Sequence, residues 1–246
     1  MLNTIYVDAG NTRVKCAIKT SEGWELIASG TYSELKQWGP ILDRAGSDAF
    51  IYFTSVSDSF EEWLKTSHLD QQECVSRIDT SRIPASRLDY ETPFTLGADR
   101  WLACAGAYSL SKQTVAVITA GTAITVDLMD QHGVFRGGVI MPGLDTIEYA
   151  AHQAAPRLPI ADVLNPVDVP ARSTDDSVDA GARFMVQSAI SDLIERYEDR
   201  FGMLRIWISG GRASHIEELL SKRDTRSDDF LIFRGMEELI QARADS

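Results

Sequence analysis

Cysteine, histidine and long apolar runs are scarce in this chain of 246 residues, and each scarcity excludes a class of protein. The three cysteines are odd in number and unclustered, which argues against a disulfide framework and indicates a reducing compartment. The four histidines are scattered and show no metal-ligand spacing. No apolar run approaches the roughly 20 residues that a helix needs to cross a bilayer, so no membrane segment is predicted.

Basic residues are also few: 24 Lys and Arg stand against 36 Asp and Glu, for a net charge of −12. This balance argues against a broad nucleic-acid surface. The first residues, 1–4, lack a basic segment followed by an apolar one, so no signal peptide is expected and a cytoplasmic location is predicted. Hydrophobic residues make up 44% of the chain, which is typical of a globular protein with its own core.

One turn motif occurs twice. Val7-Asp8-Ala9-Gly10-Asn11-Thr12 returns about 111 positions later as Ile118-Thr119-Ala120-Gly121-Thr122-Ala123. Each copy joins two apolar runs and is followed by a polar turn and a third possible strand, which predicts a duplicated three-stranded antiparallel meander. Glycine-containing turns leave backbone N–H groups accessible to phosphate oxygens. Two such turns facing each other would form a clamp for the phosphates of a nucleotide.

Further elements follow from apolar periodicity and from turn residues. The sequence predicts a long helix after Thr174, with an apolar stripe from Val186 to Phe201 and with Thr174 to Asp176 as cap and acidic first turn. The remaining expectations are a buried strand at 49–54, a short helix at 59–68, an irregular connection at 81–95, a helix from Asp99, a loop-rich segment at 156–170, a strand at 205–209 and a helix from about Ala213.

The first turn offers candidate ligands for a nucleotide. Asp8 ends a buried strand and could hold a hydrated Mg²⁺ on the phosphates, because hard cations prefer oxygen ligands. The alternative is a hairpin with Asx-type hydrogen bonds, and the second copy of the motif favours the phosphate site. Gly121 and Thr122 would supply an opposing amide and hydroxyl, or else form only a tight hairpin.

Other candidates have an equally plain structural alternative. Asp99 at a helix start could act as a general base with Arg100 fixing an anion, or could only complement the helix dipole while Arg100 is solvated. Gly210 and Gly211 could let an adenine or ribose lie against the backbone, although a structural turn is the more common case. Thr174 could be only an N-cap, and Asp127 could simply face solvent.

Taken in order, several segments resemble one family, the type III pantothenate kinases. The resemblance runs from residue 8 to residue 236 and so covers nearly the whole chain. The segments are Asp8-Ala9-Gly10-Asn11-Thr12, Leu96-Gly97-Ala98-Asp99-Arg100-Trp101, Gly121-Thr122-Ala123-Ile124-Thr125-Val126-Asp127, Gly137-Gly138-Val139-Ile140-Met141-Pro142-Gly143, Ser209-Gly210-Gly211 and Phe233-Arg234-Gly235-Met236.

The resemblance implies an α/β, duplicated ribonuclease-H-like fold of the acetate kinase, sugar kinase, Hsp70 and actin type. Its two lobes, each a mixed β-sheet flanked by helices, would span 1–112 and 113–246. The first would carry the phosphate loop, and the second would carry the other phosphate loop and the adenosine-side glycines. The implied reaction is ATP-dependent phosphorylation of pantothenate to 4'-phosphopantothenate, the first step towards coenzyme A. The implied protein is a homodimer that uses Mg²⁺ and a monovalent cation, K⁺ or NH₄⁺.

The resemblance also assigns residues by position. Asp99 matches the proton acceptor, and Asp8 would bind the divalent metal. The matched ATP-binding residues, with the adenosine-side glycines, are Asp8, Ala9, Gly10, Asn11, Thr12, Arg13, Val14, Lys15, Gly121, Thr122, Gly210 and Gly211. The matched substrate-binding residues are Tyr90, Gly97, Ala98, Asp99, Arg100 and Thr174.

One position departs from the family pattern. Many members carry an Asp, associated with the monovalent cation, where this chain has Thr119. Asp127 lies eight residues on, about 26 Å away along an extended strand, and a hairpin would shorten that distance. Whether Asp127 compensates stays open. Two alternatives to an active pantothenate kinase therefore remain: a catalytically weak or inactive ATP-binding regulatory protein on the same scaffold, and a relative acting on another small hydroxylated acid or sugar.

Overall fold

The computed structural model describes residues 4–37, 49–67 and 73–244. Contacts divide the chain into two compact units, one of Met1–Ser109 with Phe230–Ser246 and one of Leu110–Asp229. The predicted lobes, 1–112 and 113–246, instead assign the last segment, Phe230–Ser246, to the second lobe. Among the described helices, none is long and apolar enough to cross a membrane.

The first unit is built on a mixed five-stranded sheet in the order β3-β2-β1-β4-β5. Its first three strands form the predicted antiparallel meander, and β4 and β5 continue the sheet in parallel with β1. The strands are β1 Thr4–Ala9, β2 Arg13–Thr20, β3 Gly23–Thr31, β4 Phe50–Ser55 and β5 Val75–Arg77.

The second unit repeats this topology. Its sheet has the order β10-β9-β6-β7-β8, in which β6, β7 and β8 form the antiparallel meander and β9 and β10 run parallel to β6. The predicted duplication of the meander is therefore confirmed, and it extends to the two parallel strands. The strands are β6 Val115–Ala120, β7 Ala123–Met129, β8 Phe135–Pro142, β9 Arg205–Ser209 and β10 Thr225–Ser227.

Strand alternation separates a core face from a second face in the first sheet. Ile5, Val7 and Ala9 of β1 join the apolar core, together with residues such as Phe53 of β4. Because side chains along a strand point alternately to opposite faces, Asp8 lies on the other face. A polar residue two positions before the turn is thus kept out of the core and close to the end of the strand.

The helices agree with the predictions in part. The predicted helix at 59–68 is α1, Asp58–Ser67, and His68 lies outside the described residues. The predicted segment 81–95 contains three short 3-10 turns at Thr80–Arg82, Ala85–Arg87 and Pro93–Thr95, and another spans Tyr32–Gln37. The other helices are α2 Ala98–Ser111, α3 Leu144–Ala154, α4 Thr174–Phe201, α5 Ala213–Leu219 and α6 Leu231–Ala244.

The long helix α4 is capped by Ser173, not by Thr174. The Ser173 hydroxyl accepts a hydrogen bond from the backbone N–H of Asp176 at 3.1 Å, so the alternative role of Thr174 as N-cap is wrong. The predicted apolar stripe is confirmed, since Val186, Ile190 and Ile194 are buried in the core of the second unit. That core fixes the helix against the second sheet.

The last helix, α6, packs within the first unit. Gly106 of α2 and Gly235 of α6 permit a close crossing, because a Cβ on either would lie 2.0 Å from a carbonyl oxygen of the other helix. Trp24 of β3 stacks on Phe230 and Phe233 at the start of α6. These contacts explain why the closing segment of the chain belongs with the strands of its beginning.

Candidate functional site

The first phosphate-loop candidate is the turn between β1 and β2. The backbone N–H of Gly10 donates to the carbonyl of Arg13 at 3.0 Å, which closes a tight turn. Asn11, Thr12 and Arg13 are exposed at its tip. Asp8 stands two residues before Gly10 and is half-buried. The predicted loop is therefore a compact turn whose exposed side chains a phosphate group could reach.

Asp8 has one side-chain neighbour on each adjacent strand. In the sheet register it lies opposite Lys15 of β2 and beside Thr54 of β4. Directly paired residues point to the same face of a sheet, so Lys15, Asp8 and Thr54 form one row across three strands. We call these three residues the Asp8 row.

Asp99 lies in the first turn of α2, where the helix dipole favours a carboxylate. The backbone approaches this carboxylate closely, since a Cβ on Gly97 would lie 2.5 Å from Asp99 Oδ1. Arg100 is buried, at 9% exposure, so the alternative that it is solvated is wrong. Ala98 is also buried, and Tyr90 is half-buried in the same unit, ahead of the Pro93–Thr95 turn.

Asp8 and Asp99 interact electrostatically within the first unit. Burial and the neighbouring Asp99 raise the pKa of Asp8 to about 7, and Lys15 opposes this rise. Among the described residues, no group of three or more His, Cys, Asp or Glu side chains could hold a metal ion. Mg²⁺ usually takes one or two protein carboxylates and completes its shell with waters and phosphates, so the single carboxylate of Asp8 beside an exposed turn fits that ion.

Two further side chains near the loop, those of Tyr32 and Ser57, belong to no recognisable sequence motif. The hydroxyl of Tyr32 donates to the carbonyl of Gly10 and is also hydrogen-bonded to Ser57. The backbone N–H of Val56 donates to the carbonyl of Ala9 at 3.1 Å. The segment after β4 therefore supports the turn between β1 and β2. Only the tertiary fold brings Tyr32, Ser57 and Thr54 to it, so sequence reasoning missed them.

The second turn, between β6 and β7, is one residue shorter than the first. The backbone N–H of Gly121 donates to the carbonyl of Ala123 at 3.0 Å, and both Gly121 and Thr122 are exposed. Gly143 packs behind the turn, since a Cβ there would lie 2.5 Å from the carbonyl oxygens of Gly121 and Thr122. Gly121 and Thr122 therefore form a compact, exposed tip.

The paired glycines after β9 differ in their surroundings. Gly210 has φ of +101°, and a Cβ there would lie 2.4 Å from the carbonyl oxygen of Ala120. This close approach accounts for Gly210 by structure alone. A Cβ on Gly211 meets nothing within 4 Å, so the space at that exposed position is open.

Thr119 and Asp127 lie on the same face of the second sheet. Thr119 pairs directly with Thr125, and Asp127 stands two residues beyond Thr125 on the same strand. Such diagonal neighbours are roughly 7–8 Å apart, far less than the separation along an extended strand. Asp127 is only 2% exposed, so the expectation that it faces solvent is wrong.

Thr174 is the first residue of α4 and is exposed. It lies in the second unit with Gly121, Thr122, Gly210 and Gly211. The other predicted site residues, from Asp8 to Lys15, Tyr90 and Gly97 to Arg100, belong to the first unit.

Two sheets of identical strand order, each opening on a glycine turn, define a duplicated ribonuclease-H-like fold of the sugar kinase and actin-like ATPase class. A crystal structure of a conserved putative Baf family transcriptional activator from Campylobacter jejuni has a TM-score of 0.67 and 22% identity to this chain, with 98% of this chain and 100% of that chain covered. The Lmo2764 protein, a putative N-acetylmannosamine kinase from Listeria monocytogenes, has a TM-score of 0.55 and 13% identity, with 98% and 99% covered. At these identities the likeness concerns the fold alone.

The sequence defines the family. Residues 4–196 match the sequence profile of type III pantothenate kinase. A type III pantothenate kinase from Aromatoleum aromaticum is 30% identical over 257 aligned positions, which cover 98% of each chain. The chain belongs to the type III pantothenate kinase family.

Proposed function

We propose that the protein transfers the γ-phosphoryl group of ATP to the primary hydroxyl of pantothenate, with Asp99 as general base. The observation that carries this proposal is that Asp99 lies in the same unit as Asp8 and near enough to raise the pKa of that carboxyl. One of them precedes the phosphate loop, and the other begins a helix beside a buried arginine. The identity of the substrate, pantothenate, is inferred from membership of the family.

The two carboxylates take different roles in this proposal. Asp8 belongs to the phosphate loop and would hold Mg²⁺, which supplies charge neutralisation on the phosphate oxygens. Asp99 would accept the proton of the attacking hydroxyl, whose oxygen forms the new bond to the γ-phosphorus while ADP leaves. Positioning contributes most of the rate in phosphoryl transfer, so the base has a modest share.

The remaining assignments follow the same scheme. Pantothenate is an anion, and an acidic protein needs a local cation to bind it, which Arg100 beside Asp99 would supply. The proposed substrate set also includes Tyr90, Gly97, Ala98 and Thr174. The nucleotide would contact the turn from Asp8 to Lys15, then Gly121 and Thr122, with its adenosine part at Gly210 and Gly211. A requirement for K⁺ or NH₄⁺ stays a prediction, because Thr119 replaces the Asp that is associated with this cation in many family members.

A homodimer is part of the proposal. The long helix α4 exposes two large apolar side chains, Phe184 at 52% and Met185 at 63%. Exposed apolar residues on one helix support a contact with another molecule, and a second copy of the chain fits the family. The proposed interface is this part of α4.

Replacing Asp99 with Asn tests the role of the base. The variant is expected to lose pantothenate-dependent ADP release by at least about a hundredfold, because an amide cannot accept the proton. Its affinity for Mg²⁺·ATP, measured by calorimetry, is expected to change little. A variant that turns over pantothenate at the normal rate would remove Asp99 from the mechanism.

A second candidate function is an ATP-binding regulatory protein without kinase activity, and Thr119 is the observation that favours it. In that case the wild-type protein would bind ATP and release no ADP when pantothenate is added. The same assay therefore separates the two candidates.

A further inference from the structure

Thr54 carries a buried hydroxyl group without a partner. The residue lies in β4 with 1% exposure, and among the described residues its Oγ1 has no hydrogen-bond partner. Buried hydroxyl groups are normally hydrogen-bonded, because an unpaired one has lost its hydrogen bonds to water without gaining a partner in the protein. A retained, unpaired hydroxyl next to a candidate site points to a ligand that supplies the missing partner.

The register of the sheet places this hydroxyl at the cation-binding candidate. Thr54 pairs with Asp8 across the parallel strands β4 and β1, and the two side chains lie on the same face. The preceding pair, Val7 and Phe53, points into the apolar core on the opposite face. Thr54 therefore completes the Asp8 row on the side away from Lys15.

The second unit also contains an unpaired buried threonine hydroxyl. Its buried Thr125 Oγ1 is also without a hydrogen-bond partner among the described residues, and Thr125 pairs with Thr119. Thr119 occupies the position that Asp8 has in the first unit, two residues before the glycine of the turn. The two unpaired buried threonine hydroxyls thus stand beside equivalent positions of the two turns, but on opposite sides of them. Thr54 is on the parallel neighbour strand, whereas Thr125 is on the antiparallel one, where the first unit has Lys15.

We propose that Thr54 is a positioning residue of the Asp8 centre, and that its hydroxyl hydrogen-bonds the hydration shell of the divalent cation that Asp8 holds under the nucleotide. This inference rests on the proposed function for the identity of the cation. Mg²⁺ keeps several of its waters in protein sites, and those waters need hydrogen-bond acceptors nearby. The Thr54 oxygen is such an acceptor, and its neighbours leave it unused.

The test compares Thr54→Val, which removes the hydroxyl at nearly constant volume, with Thr54→Ser, which keeps it. Without Mg²⁺ and nucleotide, the Val variant is expected to melt at the wild-type temperature or above, because an unpaired polar group has been removed. Its affinity for Mg²⁺ with a nonhydrolysable ATP analogue, measured by calorimetry, is expected to fall about three- to tenfold, the effect of one lost hydrogen bond. Mn²⁺ alone, followed by electron paramagnetic resonance, is expected to bind more weakly as well.

The changes in melting temperature and in affinity together separate a positioning role from a structural one. A hydroxyl that served only the fold would lower the melting temperature when removed and leave the affinity of the folded protein unchanged. Wild-type affinity in the Val variant, or an equal loss in the Ser variant, would overturn the proposal. If the Val variant does not fold, Thr54→Ala answers the same question.

Binding of the analogue needs no pantothenate, so the test is independent of the acceptor substrate. A wild-type protein that binds Mg²⁺ and the analogue but does not phosphorylate pantothenate would refute the proposed function, and the Thr54 comparison would still be decisive. Failure of the wild-type protein to bind Mg²⁺ with the analogue would overturn both.

Discussion

Asp8 is a residue whose charge depends on what surrounds it. Lys15 favours the carboxylate, whereas burial and Asp99 disfavour it and raise its pKa to about 7. A divalent cation with ATP would replace this balance by a strong attraction. Asp8 stands two residues before a tight turn and is anchored in a central strand of the sheet.

Tyr32 is expected to hold the phosphate loop in shape. Tyr32→Phe removes the hydroxyl that donates to the Gly10 carbonyl, so the loop loses one fixed contact. We expect the KM for ATP to rise about two- to tenfold with a smaller change in kcat, since the interaction is made to the loop and not to the reacting atoms. Steady-state kinetics measure this split.

Tyr52→Phe is the matched control for Tyr32, because Tyr52 lies in the same sheet and stacks on Tyr6. It is expected to keep the wild-type KM. Equal KM values for the Tyr32 variant and the wild type would show that the hydroxyl does not position the loop.

At residue scale the sequence reveals those parts of the site that are contiguous. Asp8, Gly10 and the Gly97–Arg100 segment are visible because their chemistry lies within a few positions of chain. Tyr32 and Thr54 are not visible, since each reaches the loop only through pairing or packing with a distant strand. Asp127 looked solvent-facing from its alternation, but Gly138 allows its carboxylate to pack inward.

Among the elements, the turn between β7 and β8 depends on one carboxylate. Asp130 accepts hydrogen bonds from the backbone N–H groups of His132 and Val134 at 2.9 and 3.0 Å and pairs with Arg136 at 2.6 Å. Burial alone would raise the pKa of Asp130, but these hydrogen bonds and the arginine lower it below its ordinary value. The ionised form therefore stabilises the turn.

The substitution Asp130→Asn is expected to lower the free energy of unfolding by about 2 kcal/mol near pH 7. Because the folded pKa lies below the unfolded one, this stabilisation is present above the unfolded pKa and is lost as the pH falls through the folded pKa. The difference between the variant and the wild type should thus shrink below about pH 4. Urea unfolding across pH measures it, with the exposed Asp168→Asn as control, and a pH-independent difference would contradict this account.

The crossing of α2 and α6 depends on glycine. Gly235→Ala would place a Cβ 2.0 Å from the Leu102 carbonyl oxygen, so the helices must separate. We expect a loss of about 3 kcal/mol in the free energy of unfolding, measured with urea. Gln241→Ala, on the exposed side of α6, is expected to stay within about 0.5 kcal/mol of the wild type. A Gly235→Ala protein of wild-type stability would show that the helices do not cross this closely.

The sequence predicts elements well where a periodic apolar pattern is long. The two meanders, α4 and β9 follow from such patterns. The helix α3 was missed because only Leu144 and Ile147 are buried in it and its N-cap, Gly143, offers no capping side chain. The edge strands β5 and β10 were missed because each has three residues and pairs on one side only.

For the whole molecule, duplication explains the architecture. Each unit repeats a meander followed by two parallel strands, so one supersecondary plan positions both glycine turns. The repeat was legible in the sequence as a doubled turn motif. The return of α6 to the first unit was not legible, because its packing partner α2 lies more than a hundred residues earlier in the chain.

A homodimer through α4 predicts a solution mass of twice the 27.2 kDa chain. Phe184→Asp places a charge on the proposed interface and should shift the mass measured by light scattering towards the monomer. Met203→Asp is the control, because Met203 is 88% exposed beyond the end of α4. A wild-type monomer, or a Phe184→Asp dimer, would contradict this interface.

The most direct measurement is ADP release by the wild-type protein with ATP and Mg²⁺, with and without pantothenate, in Na⁺, K⁺ and NH₄⁺ salts. The account predicts ADP release that depends on pantothenate in at least one salt, and the comparison of salts shows what Thr119 changes. Folded protein that binds ATP and releases no ADP with pantothenate in any salt would contradict the proposed kinase.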